Sequence, residues 1–179
     1  MLVLVIGGSG SGKSEYAERL ALRLASEHSK FYLATMQIWD DECRARVDKH
    51  RRQRAGRGFI TIECPQNLAG LQEPMLDNSG TILLEDLGNL AANELYSPGS
   101  RYMTAQKAVL SGMDHIARCC KNLVIVSNEV GAGGTDYEEE TVEYLRFLGT
   151  LHQQIAQRAD AVCEVVGGIP YYYKGSECL

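Results

Sequence analysis

Gly7-Gly8-Ser9-Gly10-Ser11-Gly12-Lys13-Ser14 fits G-x-x-x-x-G-K-[ST], the Walker A pattern, without a mismatch. Glycines in such a loop accept positive φ and let backbone amides approach phosphate oxygens closely. Lys13 is placed to reach β- and γ-phosphates, and the Ser14 hydroxyl suits Mg²⁺. A phosphate site of this type also needs an acid for the metal. Thr81-Ile82-Leu83-Leu84-Glu85-Asp86 is an apolar run that ends in two acids, and either suits a hydrated Mg²⁺. A third group of residues is basic. Seven of the 18 lysines and arginines fall between positions 44 and 57. On a helix, Arg46, His50 and Arg54 recur every four residues and share one face. Guanidinium groups there neutralise phosphate charge, and a neutral imidazole can attack phosphorus. The remaining histidines read differently. His28 suits the C-terminal end of a helix, and His115 stands among apolar helical positions and reads as structural.

These groups need elements to hold them. Short apolar or β-branched runs predict strands over Leu2–Ile6, Phe31–Ala34, Phe59–Cys64, Thr81–Glu85, Leu123–Ser127, Val162–Val166 and Tyr171–Lys174. Helical patterns fall between them, over Ser14–Ser26, Asp40–Arg54, Leu87–Leu95, Tyr102–Cys120 and Glu138–Ala159. In the first, Tyr16, Ala17, Leu20, Ala21 and Leu24 recur at helical spacing. Strands that alternate with helices predict an α/β fold with a mainly parallel sheet. The tail around Gly167-Gly168 predicts a terminal hairpin. Nothing reads as a linker, so residues 1–179 are expected to form one nucleotide-binding catalytic domain, with its phosphate loop between the first strand and the first helix.

Composition narrows the function classes. A 179-residue chain with 45% hydrophobic and 23% charged residues can bury a core without disulfide support. The apolar start Met1–Ile6 stops at Gly7 and lacks a basic leader and a cleavage-site pattern, so it reads as a strand. No apolar run approaches the roughly 20 residues of a membrane span. The net charge of −5 argues against a general nucleic-acid binder. The six cysteines, Cys43, Cys64, Cys119, Cys120, Cys163 and Cys178, contain no C-x-x-C pair, so they are expected to be reduced, mostly buried thiols in a cytoplasmic protein.

Together these segments resemble the bifunctional adenosylcobinamide kinase/adenosylcobinamide-phosphate guanylyltransferase family of cobalamin biosynthesis. The phosphate loop is similar, and five further segments follow in the family's order. They are Tyr32–Gln37, the stretch from Asp40-Asp41-Glu42 to Arg54, Thr61–Pro65, Leu83-Leu84-Glu85, and Ser127-Asn128-Glu129-Val130-Gly131-Ala132-Gly133. The basic-helix histidine together with the Asn-Glu-Val-Gly-x-Gly loop is the specific part. The resemblance implies a RecA-like P-loop domain that assembles as a homotrimer. It implies that the chain phosphorylates adenosylcobinamide and transfers GMP from GTP to adenosylcobinamide phosphate. In this reading His50 carries GMP, with Lys13 as the second catalytic residue. Gly7, Gly8, Ser9, Gly10, Ser11, Gly12, Lys13 and Ser14 hold the phosphates. Thr35, Met36, Gln37, Arg51, Arg52, Gln53, Arg54, Glu63 and Glu85 complete the guanine nucleotide site, and Ser14 and Glu85 hold Mg²⁺. The implied ligands are GTP, ATP and Mg²⁺, with adenosylcobinamide and its phosphate as substrates. No nucleic-acid partner and no membrane insertion are implied.

The chain departs from the family pattern in three places. Gly10 replaces a usual arginine. Gly134-Thr135-Asp136 replaces Val-Pro. Downstream, Glu143 stands before the aromatic Tyr144, and His152 replaces an asparagine, while Gly149 and Gln153 are kept. The changes beyond residue 133 cluster, and they mark either an altered corrinoid site or loss of the kinase half. A narrower enzyme is therefore weighed beside the main reading: a guanylyltransferase only, or a small-molecule P-loop kinase on another substrate. His50 separates these, because a kinase needs no covalent nucleotide. A nucleotide-dependent switch is a third reading, and the chain lacks the Asn-Lys-x-Asp guanine-reading motif it would carry.

Overall fold

The computed structural model describes residues 1–37, 41, 44, 56–72, 77–131 and 136–176. Its elements in chain order are β1 (Leu2–Gly7), α1 (Lys13–Ala25), β2 (Lys30–Ala34), β3 (Phe59–Glu63), a 3-10 turn (Leu68–Gly70), β4 (Thr81–Glu85), α2 (Leu87–Leu95), α3 (Tyr102–Arg118), β5 (Asn122–Asn128), α4 (Glu139–Arg158), β6 (Ala161–Val166) and β7 (Ile169–Lys174). Each strand and α-helix matches a sequence expectation to within a residue or two at its ends, and the 3-10 turn is an addition. The expected basic helix over Asp40–Arg54 lies, apart from Asp41 and Arg44, outside the described residues.

The seven strands form one sheet in the order β3-β2-β4-β5-β1-β6-β7. All neighbours are parallel except the terminal hairpin β6–β7. One strand, β5, separates the phosphate-loop strand β1 from the acid-ended strand β4, the arrangement of a RecA-like P-loop core. β1 is central, and both its faces are covered. Val3 and Val5 pack with Tyr16, Ala17, Leu20 and Ala21 of α1. Leu4 joins the larger cluster formed with α2, α3 and α4. A strand buried on both faces reads as a continuous apolar run, which is why Leu2–Ile6 shows no alternation. Among the described residues, Cys64, Cys119, Cys120 and Cys163 are buried thiols outside any disulfide, as expected for the core.

The terminal hairpin braces the phosphate loop. Gly168 N donates to Ser11 O at 2.8 Å. Gly12, with φ of +88°, approaches so closely that a Cβ there would lie 3.0 Å from Gly168 Cα. The left-handed backbone and this contact both require glycine at the residue that precedes α1. Gly12→Ala should therefore lower stability by about 1–3 kcal/mol, measured as a reduced urea midpoint. An unchanged midpoint would show that hairpin and loop are not rigidly joined.

Candidate functional site

The site is built at the C-terminal ends of the parallel strands, where β1 turns into the loop and α1. Lys13 is buried, and its Nζ donates to Gly8 O at 3.2 Å, so the ammonium folds back into the loop's own hollow. Within the loop, Ser11 N donates to Gly8 O at 3.2 Å. The α1 N-terminus adds its positive dipole end at the same place. Two buried oxygens beside this hollow, Ser11 Oγ and Glu85 Oε2, have no hydrogen-bond partner among the described residues. Buried polar atoms left unpaired cost about 1–3 kcal/mol each. Such a cost persists where a ligand completes the set.

The two acids at the end of β4 have separate surroundings. Asp86 is the N-cap of α2, and its Oδ1 accepts from Asn89 N at 2.7 Å. Its Oδ2 accepts from Asn128 Nδ2 at 3.1 Å. Burial pushes the Asp86 carboxyl up to about 6, and the neighbouring Glu85 adds to the rise. The bond from Asn89 and the charge of Lys13 oppose it. Thr35, fully buried after β2, accepts from Asp86 N at 2.8 Å and donates to Asp86 O at 2.7 Å. Asn93 Nδ2 then donates to Thr35 O and to Pro65 O, each at 2.9 Å. This network of Thr35, Asp86, Asn93 and Asn128 ties the ends of β2, β4 and β5 to α2.

Glu85 stands level with Val126 of β5 and, through it, with Val5 of β1, two strands from the loop Gly7–Ser14, and Thr35 is bonded to the adjacent Asp86. Met36 and Gln37 follow β2, partly buried, at the same edge of the sheet. Glu63 ends β3, level with Ala34 and Glu85 in the register. It stands four strands from β1, about 19 Å away at ordinary strand spacing. His50, Arg51, Arg52, Gln53 and Arg54, with Arg46, lie outside the described residues. The described end of that basic segment returns to α1, where Arg57 pairs with the buried Glu18. Sequence reasoning missed the structural roles of Asp86 and Asn93. An acid directly before a helix is an N-cap signature that could have found the first. His115 is structural as expected, with Nε2 hydrogen-bonded to Leu71 O at 2.7 Å.

The divergent stretch reaches the site from the α4 side. Tyr144 Oη donates to Gly88 O at 3.1 Å in the first turn of α2. Its burial, with the nearby Asp86, pushes the phenol up to about 12. His152 Nε2 and the fully buried Ser127 Oγ are hydrogen-bond partners at 2.7 Å.

A family model described as cobinamide kinase / cobinamide phosphate guanyltransferase matches residues 3–172. The chain is 32% identical over 180 residues to the bifunctional adenosylcobalamin biosynthesis protein CobU of Escherichia coli (strain K12), covering 94% of this chain and 97% of that one. The same identity and coverage hold for CobU of Salmonella typhimurium (strain LT2). Against the bifunctional adenosylcobalamin biosynthesis protein CobP of Pseudomonas aeruginosa (strain PAO1), identity is 31% over 172 residues, covering 96% of each chain.

His152 yields a pH prediction. Burial lowers its pKa below the ordinary value of 6.5, so the folded protein holds it neutral. The unfolded chain then binds the proton more readily, and stability is lost as pH falls below about 6.5. Urea midpoints between pH 7.5 and 5 should fall more steeply for the wild type than for His152→Asn. Parallel curves for the two proteins would remove His152 from the acid response.

Proposed function

The chain belongs to the cobinamide kinase / cobinamide phosphate guanyltransferase family, and on that premise we propose that it phosphorylates adenosylcobinamide and then transfers GMP from GTP to the product through a GMP–histidine intermediate on His50. The observation that carries this reading is the intact phosphate loop, with Lys13 held against Gly8 and a Glu85 oxygen, two strands away, that has no partner among the described residues. Residues 1–179 act as one catalytic domain. ATP or GTP serves the kinase step, and GTP serves the guanylyl step. The assembly is the homotrimer that the resemblance implies, working in the cytoplasm. No helix among the described residues is long and apolar enough to cross a membrane.

The loop amides and Lys13 bind the triphosphate and offset its charge, which is most of what phosphoryl transfer asks of a protein. Glu85 and Ser14 fit Mg²⁺. The Glu85 Oε2 atom is a buried carboxyl oxygen without a hydrogen-bond donor among the described residues, and hard cations take such oxygens directly or through water. When bound, the ion supplies further charge neutralisation at phosphate oxygens. Glu63, on the far edge of the sheet, suits the base end of a nucleotide whose phosphates lie at β1, with Thr35–Gln37 between.

In the guanylyl step a neutral ring nitrogen of His50 attacks the α-phosphorus of GTP. A P–N bond forms, the bond from the α-phosphorus to the bridging oxygen breaks, and pyrophosphate leaves. An oxygen of adenosylcobinamide phosphate then attacks the same phosphorus, and the P–N bond breaks to restore the imidazole. Arg51, Arg52 and Arg54 stabilise the charge on the transferring group, with Gln53 beside them. Arginines also disfavour the imidazolium, which keeps the nucleophile neutral. A narrower reading, guanylyl transfer alone, is favoured by the departures at Gly134–Asp136, Glu143 and His152. A protein that converts only adenosylcobinamide phosphate, and not adenosylcobinamide, would establish it.

α-Labelled GTP should leave acid-labile, base-stable label on the denatured wild-type protein and release pyrophosphate. His50→Ala should lose the label and retain nucleotide binding. Full labelling of His50→Ala would overturn the assignment and turn attention to His152. Lys13→Ala should weaken GTP binding in calorimetry by at least about tenfold. Equal binding by the variant would take the phosphate loop out of the mechanism.

A further inference from the structure

One face of the β6–β7 hairpin is uncovered. Its outward positions are Val166, Ile169, Tyr171 and Tyr173, exposed at 62%, 73%, 64% and 62%. Tyr171 and Tyr173 meet edge to face with ring centres 5.1 Å apart. Tyr173 Oη donates to Glu164 Oε2 at 2.5 Å, and partial burial together with the neighbouring Glu164 carboxyl raises the Glu129 carboxyl above its ordinary range. Two carboxyls and two aromatic rings thus share one apolar surface. The alternation along β7 explains its exposure. Tyr172 turns inward to join Tyr16, so Tyr171 and Tyr173 turn to the opposite face.

This face is joined to the phosphate loop by backbone. Glu129 N donates to Gly7 O at 3.0 Å, and Gly168 N donates to Ser11 O at 2.8 Å. Glu164 pairs with Ile6 of β1 and with Tyr171 of β7. Two strand spacings put Tyr171 about 10 Å from the end of β1. On the other side of the loop the strand ends carry Glu85, Asp86 and Thr35, a polar edge. Among the described residues, the hairpin is the side that offers apolar surface to a large acceptor that must bring a hydroxyl to the loop.

We infer that this hairpin face is the platform for the corrinoid substrate, with Tyr171, Tyr173, Val166 and Ile169 under the macrocycle and the Glu129–Glu164 pair binding its edge. The inference rests on the proposed function and adds the place of its second substrate. The charges and shapes fit. Adenosylcobinamide is a broad, flat ring system whose cobalt(III) centre leaves it a net cation, and its rim carries carboxamide N–H donors. Tyrosine faces attract a cation as well as apolar surface. Carboxylates accept amide hydrogen bonds and offset positive charge. The acceptor hydroxyl ends a flexible arm on the rim, so a ring seated beside the loop can reach it.

The test measures adenosylcobinamide binding and turnover with wild-type protein, Tyr171→Ser/Tyr173→Ser, Ile169→Ser, Glu164→Gln and Tyr171→Phe. GMP labelling from GTP, which needs no corrinoid, serves as the folding control. The two-tyrosine variant and Ile169→Ser should raise the KM and Kd for corrinoid by about tenfold or more. Glu164→Gln should do so to a smaller extent, and Tyr171→Phe should stay near wild type. Wild-type corrinoid affinity in the two-tyrosine variant, with or without a change in sedimentation, would overturn the platform. A changed oligomeric state at unchanged affinity would assign the face to contacts between copies of the chain. Those outcomes leave the enzymatic reading standing. A wild-type protein that neither binds nor converts either corrinoid would overturn both.

Discussion

A phosphate loop has to keep most of its backbone amides free for a ligand, so its own bonds, here the one from Ser11 N to Gly8 O, cannot hold it alone. This one is held from outside. Gly7 O accepts from Glu129 N, Ser11 O accepts from Gly168 N, and Gly12 O accepts from Tyr16 N as α1 begins. Three separate parts of the chain thus fix the loop's carbonyls around the hollow that Lys13 fills. The rest of the fold follows from that requirement. β1 must sit between β5 and β6 for both clamps to reach it. α1 must pack flush on β1, which the small residues Ala17 and Ala21 permit.

The second organising feature is the division of work between adjacent acids. Asp86 commits both carboxylate oxygens to protein donors, one at the start of α2 and one on Asn128. Those bonds, with the charge of Lys13, offset part of a desolvation cost that would otherwise expel a buried carboxyl from this position. Glu85 keeps one oxygen without a protein partner among the described residues. From the strand pattern alone either acid suits the metal, and the family resemblance picks Glu85. Coordination supply separates them: the one whose oxygens are already used is a structural acid, and the other has an oxygen to offer.

What was legible in the sequence was local. The motif from Gly7 to Ser14 needs only consecutive residues, and the strands and helices showed their burial periods. The hairpin was readable from Gly167-Gly168 and its flanking runs. What was not legible depends on strand order. Glu63 and Glu85 both end strands, yet one stands at the sheet edge and the other two strands from β1, and no periodicity distinguishes them. Asn93 reads as an ordinary polar helix residue, although it joins Thr35 to Pro65 across segments far apart in the chain. His152 likewise gains its partner, Ser127, only when α4 packs on β5. Pairings of this kind are set by tertiary packing, which burial patterns in one segment do not encode.

The same geometry locates the chain's departures from its family. Among the described residues, the clamps on the phosphate loop flank the altered stretch, with Glu129 before it and Gly168 after it. The altered stretch instead meets α2. Tyr144 bonds to Gly88 O, and a side chain at Gly131 would run into Leu145. Gly88 lies two residues past Asp86, where a Cβ would stand 3.1 Å from the Tyr144 hydroxyl and 3.3 Å from Asp86 Oδ1. A small residue at position 88 and an aromatic at 144 are therefore one packing solution, and a larger residue at 88 would displace either the phenol or the capping carboxylate. Glu143 directly precedes Tyr144, so one departure from the family pattern stands beside this contact on the acid side of the site.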